Sequence, residues 1–311
     1  MQFPFEPPNN RKFDVVGFGT NAVDYLIQVP EYPAFDSKLE LNDYVQAAGG
    51  EAATTMVGLQ RLGLKTSYVG RFGNDGAGDF GLKSLDDEGV DTSRSQRVDG
   101  ARTQIAFIIV DENTGERTVI WKRDKKLQFT ENDVSDEISE SARVLHLTPH
   151  DTRAGIKLAR KAREIGTIVS IDIDTIFEGV EDLLPLVDIL ISSAGFAESF
   201  TGIRDQRAAL DRLKFKYGCK VIGVTLGQRG SLIHCANEFF ETEGFAVPNG
   251  CKDTTGAGDS FRSGFLYGFL SGESIEESAR MANAVAALKC REIGARTALP
   301  DIRELNNLLR S

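Results

Sequence analysis

The stretch Asn249–Gly264, NGCKDTTGAGDSFRSG, holds the densest cluster of potential chemistry in the chain. Gly256 and Gly258 flank Ala257, and a helix-compatible run with Phe265, Leu266 and Phe269 follows. A glycine-rich turn that opens a helix leaves backbone N–H groups unpaired beside the positive end of the helix dipole. Such a turn attracts anions and suits a phosphoryl group on which charge develops. Asp259 falls in the first turn of that helix, within reach of whatever the turn holds. A carboxylate so placed can take the proton of an attacking hydroxyl. The plainer role for an acid in a first turn is to cap the helix. Capping accounts for an aspartate but not for the clustered glycines, so the catalytic reading is preferred.

Other patterns carry less. Gly17-Phe18-Gly19-Thr20-Asn21-Ala22 matches a dinucleotide fingerprint, but Pro30 and Pro33 leave no room for the helix that fingerprint needs. Asp79-Phe80-Gly81 resembles a magnesium motif of protein kinases, yet it sits inside an expected helix without a matching catalytic loop. No glycine is followed directly by lysine, which excludes a P-loop. His146 and His150 are four apart, but Val144–Leu147 reads as a strand and Pro149 intervenes, so a metal pair is not expected. Cys219, Cys235, Cys251 and Cys290 are widely spaced and read as buried thiols in a reducing compartment.

The elements that must position the turn alternate between strand and helix. A strand is expected near Phe13–Val16, a helix over Gly50–Leu62, a strand at Thr66–Val69 and a helix over Gly76–Asp87. A β-hairpin follows, with arms Thr103–Asp111 and Arg117–Trp121 around Asn113-Thr114-Gly115, and Lys38–Gln46 also alternates in strand fashion. Beyond Arg143, strands fit Val144–Leu147, Thr167–Ile171, Asp188–Ile191, Cys219–Thr225 and Ser231–His234. Helices fit Thr152–Glu164, Arg207–Lys216, Ala257–Leu270, Ile275–Lys289 and Asp301–Leu309. Apolar strands between amphipathic helices predict an α/β fold with a mostly parallel sheet covered on both faces. The β-rich segments, about 37–48 and 101–123, predict a small separate sheet inserted as a lid in one domain spanning residues 1–311.

Asp253–Asp259 followed by Ser260-Phe261 resembles the C-terminal signature of the ribokinase-like (PfkB) carbohydrate kinases. Gly49-Gly50 opening a helix, then Gly63, Gly70 and Gly73-Asn74-Asp75-Gly76, resembles the N-terminal signature. Gly17 through Asp24 is similar to the first strand and substrate loop of that family, and Thr225-Leu226-Gly227-Gln228-Arg229-Gly230 to its nucleotide loop. Ala282-Asn283-Ala284 resembles the helix that borders the adenine.

The resemblance implies a three-layer α/β kinase that uses ATP and Mg²⁺ to phosphorylate a hydroxyl of a small sugar or sugar-like molecule. It implies Asp259 as general base, backbone N–H groups of Gly256, Ala257 and Gly258 as anion hole, and Thr225, Gly227, Gly230 and Asn283 along the nucleotide. Asp24, Asp36, Gly49 and Gly50 would meet the substrate, carboxylates being natural acceptors for sugar hydroxyls. The lid would close over it, excluding water, and would supply a dimer interface. The resemblance further implies a monovalent cation, K⁺, near Asp253 and Gly294.

The chain also departs from the family pattern. Glu51 and Thr54 stand where asparagines are usual. Glu51 either points into the site, disfavouring anionic substrates, or caps its own helix. Ser193-Ala194-Gly195-Phe196 replaces an N-x-x-E element that organises magnesium, which leaves Mg²⁺ to ATP and water with Glu198 as an outer carboxylate. Tyr32, Pro33, Asp36, Ser37 and the Gly115, Arg117, Thr118 hairpin are similar to ketohexokinase-like members and favour a neutral ketose. Arg123 either reaches an acidic sugar or belongs to a basic surface turn. Alternatives are a nucleoside kinase, a 2-keto-3-deoxy sugar-acid kinase, or a non-catalytic sugar or nucleotide sensor on the same fold.

Composition sets the outer bounds. The 311 residues carry 36 basic and 46 acidic side chains, a net charge of −10, which disfavours nucleic acid and anionic membrane surfaces as partners. The start lacks a signal-peptide pattern, and apolar runs such as Ile105–Val110 fall far short of the ~20 residues of a bilayer span. A cytoplasmic protein is expected.

Overall fold

The computed structural model describes residues 1–311. The chain runs β1 (Phe13–Phe18), β2 (Ala22–Val29), β3 (Asp43–Gly49), α1 (Glu51–Arg61), β4 (Thr66–Val69), β5 (Arg71–Gly73), α2 (Gly76–Asp86), β6 (Gln96–Val98), β7 (Ile105–Asp111) and β8 (Arg117–Lys122). It continues with α3 (Glu137–Glu140), β9 (Ala142–Leu147), α4 (Thr152–Glu164), β10 (Ile168–Ile173), α5 (Val180–Leu183), β11 (Ile189–Ser193), α6 (Ala194–Thr201) and α7 (Gln206–Tyr217). Then come β12 (Val221–Thr225), β13 (Ser231–Cys235), β14 (Glu238–Thr242), α8 (Ala257–Leu270), α9 (Ile275–Lys289) and α10 (Ile302–Arg310).

Eight strands form the main sheet in the order β14-β13-β12-β11-β10-β9-β1-β4. The ladder is parallel from β12 through β4, and only β13 runs against the rest, pairing antiparallel with both β12 and β14. The parallel strands read as unbroken apolar runs because both faces are covered. One face holds a 32-residue core with Leu158 of α4, Leu183 of α5, Phe196 of α6 and Leu213 of α7. The other holds a 26-residue core with Met56 and Leu59 of α1, Phe261 and Phe265 of α8, and Ala282 of α9. Each fully buried side chain of this size contributes about 1.5–3 kcal/mol, so the two cores fix the strand ends against which the loops are set.

A second sheet, in the order β3-β2-β7-β8, stands apart from the first. Its inner face packs Leu26, Ala106, Ile108 and Val110. Two differences from the sequence reading concern this sheet. Ala22–Val29, for which the prolines exclude a full helix and the sequence pattern names no element, is its second strand, paired antiparallel to β3 and parallel to β7. The strand expected from Lys38 starts only at Asp43, and residues 37–42 carry no strand. Leu39 and Leu41 alternate with polar residues in sequence, but residues 37–42 are exposed and form no strand ladder.

Candidate functional site

The carboxyl ends of the parallel strands, the first turn of α8 and the inner face of the small sheet enclose one large cavity of about 1640 Å³. Open parallel sheets bind ligands at this end. Gly256 adopts φ 75°, the left-handed region, and a Cβ there would press on Ala295. Glycine is therefore required where the chain turns into α8. The N–H groups of Gly256, Gly258 and Asp259 find no acceptor in the chain and stand at the positive end of a 14-residue helix. Ala257 departs from the expectation: its N–H already donates to the Thr254 carbonyl at 3.1 Å, closing the turn that aims its neighbours.

Asp259 is held against an acidic group that the sequence reading missed. Asp172, at the end of β10, pairs with Arg262 at 2.7 Å, and Arg262 also donates to the Ile191 carbonyl at 3.1 Å. Arg262 lies three residues after Asp259, on the same face of α8. Burial pushes the Asp259 carboxyl up to about 6, while the Arg262 charge pulls it down. Asp172 is also raised well above the ordinary carboxylate value, first by burial and then by the neighbouring Asp259 and Asp174 against the pull of Arg262. The Asp172 and Asp259 carboxyls thus share one guanidinium in a low-dielectric pocket. The available signal was Asp172-Ile173-Asp174, two acids closing an apolar strand of a parallel sheet.

Glu51 resolves in favour of the cavity. It opens α1 after Gly50, whose φ is 91° and whose Cβ would meet the Asn21 backbone. The Glu51 carboxylate sits 3.5 Å from His150 Nδ1. Burial first, then Asp174, Asp172 and Asp259, raise it well above its ordinary value. His150 packs against Phe177, with ring centroids 4.5 Å apart, and against Trp121 of β8 at 6.0 Å. Burial and the Arg123 charge lower the His150 imidazole to about 3, so it is neutral.

Asp24, on β2, lines the same cavity and is only 4% exposed. Burial lifts its carboxyl to about 6 against the pull of Arg296. Gly49 stands beside it because any side chain would collide with the Asp24 carboxylate. Gly49 does not line the cavity; its carbonyl accepts from Arg296 Nη2. Thr54 is likewise buried behind the wall, where its hydroxyl faces Arg296 Nε at 3.4 Å. At the far end of the cavity lie Thr225, Gly227, Gly230 and Asn283, the last anchored through Nδ2 to Ser231 Oγ at 3.1 Å.

Three expected residues stand elsewhere. Asp36 occupies an exposed turn with φ 56°, off the cavity wall. Arg123 is neither a substrate contact nor a surface turn: both Nη atoms are spent on buried Asp151, at 2.9 and 2.6 Å. Glu198 is half exposed and faces Arg204 at 3.4 Å, so it is no outer carboxylate of this site.

The cation positions divide. No three His, Cys, Asp or Glu side chains converge to hold a metal ion. Mg²⁺ is therefore left to arrive with the phosphates of the nucleotide rather than to reside in the chain. The surroundings of Asp253 do not fit K⁺. Its carboxylate accepts from Thr255 N at 2.8 Å, Thr255 Oγ1 at 2.7 Å and Gly294 N at 2.8 Å, and the Lys289 ammonium stands 3.6 Å away.

Comparison with known proteins decides the family. Residues 13–302 match the pfkB family carbohydrate kinase. The chain belongs to that family. It is an enzyme of the sugar-kinase class, and the ribokinase-like α/β fold expected from the motifs is the one it adopts. A nucleoside kinase of Methanothermobacter thermautotrophicus is 27% identical over 305 residues, covering 94% of each chain. The ribokinase of Haemophilus influenzae is 27% identical, covering 92% of this chain and 95% of its own. The structure of Arabidopsis thaliana ribokinase complexed with ribose and ATP superposes with TM-score 0.82 at 24% identity, covering 96% and 99%. No helix is long and apolar enough to cross a membrane.

Proposed function

We propose that this family member transfers the γ-phosphoryl group of ATP to a hydroxyl of a small, uncharged sugar or nucleoside. The observation that carries the reading is the pairing of a half-buried carboxylate, Asp259, with the free N–H groups of Gly256 and Gly258 at one helix start. Asp259 takes the proton of the acceptor hydroxyl, and the amides meet the charge on the transferred phosphoryl oxygens. Mg²⁺, when bound with the triphosphate, supplies further charge neutralisation. Arg262, held by Asp172, keeps a compensating cation within one helical turn of the base.

The nucleotide lies along Thr225, Gly227, Gly230 and Asn283, and the acceptor near Asp24, Gly50 and Glu51. Asp24, Glu51, Asp172 and Asp174 line the acceptor end with carboxyl groups that hydrogen-bond to hydroxyls and offer an anion no matching charge. This favours neutral sugars or nucleosides over 2-keto-3-deoxy acids and sugar phosphates. The small sheet acts as lid: Thr254 Oγ1 donates to the Gly115 carbonyl at 3.2 Å and accepts from Arg117 Nη1 at 2.8 Å, tying the hairpin to the anion turn. Its outer face exposes Tyr44, Phe107 and Ile120, and we assign it to a second copy of the chain in a homodimer. Light scattering of wild type and Phe107→Asp tests this, with a monomeric wild type as the contrary result.

An ADP-release screen across ketoses, aldoses, nucleosides, sugar acids and sugar phosphates tests the acceptor class. Turnover confined to uncharged acceptors is expected. Preference for an anionic acceptor overturns the assignment, and ATP and sugar binding without ADP release across the whole panel favours a sensor.

A further inference from the structure

Lys289, the last residue of α9, has no exposed surface, and the side chain of Asp253 beside it has none either. A buried ammonium is expensive unless its charge is matched, so its partners define its role. Both partners belong to one residue: Nζ donates to the Asp253 carbonyl at 2.7 Å and stands 3.6 Å from its carboxylate. The carboxylate in turn fixes Thr255 through two hydrogen bonds and the Gly294 N–H through a third. Lys252 N–H binds the Cys290 carbonyl at 2.9 Å, so the loop is pinned along the end of α9 just before the anion turn begins. Asp253 to Gly256 is three residues, and Thr255 leads directly into the left-handed glycine.

We infer that the Lys289 ammonium is a built-in cation for the anion turn, standing where a monovalent metal ion would otherwise bind. It makes phosphoryl transfer by this chain independent of K⁺. The inference rests on the kinase reading for its effect on turnover, and on geometry alone for the exclusion of the ion. A metal ion at this place needs oxygen ligands freed from other partners. Here Nζ takes the carbonyl and stands over the carboxylate, and a second positive charge beside Nζ is repelled. The ammonium does not touch substrate; Lys289 is a positioning residue that acts through Asp253 and Thr255 on Gly256 and Gly258.

The experiment uses the full chain in chloride buffers of K⁺, Na⁺ or tetramethylammonium at equal ionic strength. ATP affinity by calorimetry, melting temperature and kcat are measured for wild type and Lys289→Ala. Wild type is expected to be indifferent to the cation in all three readouts. Lys289→Ala is expected to lose about 10²-fold in kcat, as a misplaced turn would cause, and to regain about tenfold or more when K⁺ or ammonium is added. A wild-type melting temperature, ATP affinity or kcat that rises selectively with K⁺ overturns the inference. So does a folded Lys289→Ala that keeps full activity without K⁺, or one that is inactive and not rescued by either ion. If the variant does not fold, the wild-type titrations still decide. If no acceptor turns over, the kinase reading fails separately while melting temperature and ATP affinity continue to judge Lys289.

Discussion

Replacing Asp259 by asparagine should separate activity from stability in opposite directions. Burial raises the Asp259 carboxyl from 3.8 to about 6. A shift of roughly two pH units corresponds to about 3 kcal/mol of folding free energy, at 1.36 kcal/mol per unit. The sign follows from which state binds the proton more tightly. The folded state does, so the cost is fully present above pH 6 and is relieved as pH falls from 6 toward 4. Asparagine removes the charge and with it the cost. Arg262 is not stranded by the change, because Asp172 at 2.7 Å and the Ile191 carbonyl remain its partners. Urea unfolding at pH 8 should show Asp259→Asn more stable than wild type by about 1–3 kcal/mol, with the gap closing near pH 4. Turnover should fall by about 10²–10⁴, the usual worth of a general base. The wild-type kcat/KM should lose activity below a pKa near 6 rather than near 4. A variant that keeps kcat within about tenfold of wild type would falsify the base role. A variant less stable than wild type at pH 8 contradicts the burial argument.

Three further outcomes are expected. Asp24→Asn should raise the acceptor KM by about tenfold or more while leaving the ATP KM unchanged, and the wild-type acceptor KM should rise below pH 6 as the Asp24 carboxyl, lifted to about 6, takes a proton. Arg123→Met should cost about 3–5 kcal/mol in chemical denaturation by leaving buried Asp151 unpaired, with kcat and both KM values of the folded fraction unchanged. Gly256→Ala should lower kcat more than it raises the ATP KM, because a side chain at φ 75° against Ala295 strains the turn by about 1–3 kcal/mol and shifts its amides.

What the sequence made legible follows the range of the physics involved. The anion turn and Asp259 were readable because their geometry is local: glycines, a helix start and an acid within seven residues, Asp253–Asp259. Helices Ala257–Leu270, Ile275–Lys289 and Thr152–Glu164 fall where their apolar period places them. Strand β2 was lost because its order comes from β3 and from β7, the latter some 80 residues away, and no local pattern carries that pairing. Arg123 and Glu198 were plausible by type, but Asp151 and Arg204 claim them in three dimensions. Lys289 gave no sign beyond its place at a helix end, since only the fold brings Asp253 over it. Asp172 and Asp174 were within reach, had the strand end been weighed as heavily as the glycine motifs.

The most direct measurement follows the label from [γ-³²P]ATP through wild-type protein, Mg²⁺ and an uncharged acceptor identified by the screen. The label is expected to move to the sugar or nucleoside, with little released as inorganic phosphate because the lid excludes water. Label that stays in ATP, or that appears only as inorganic phosphate, contradicts that transfer.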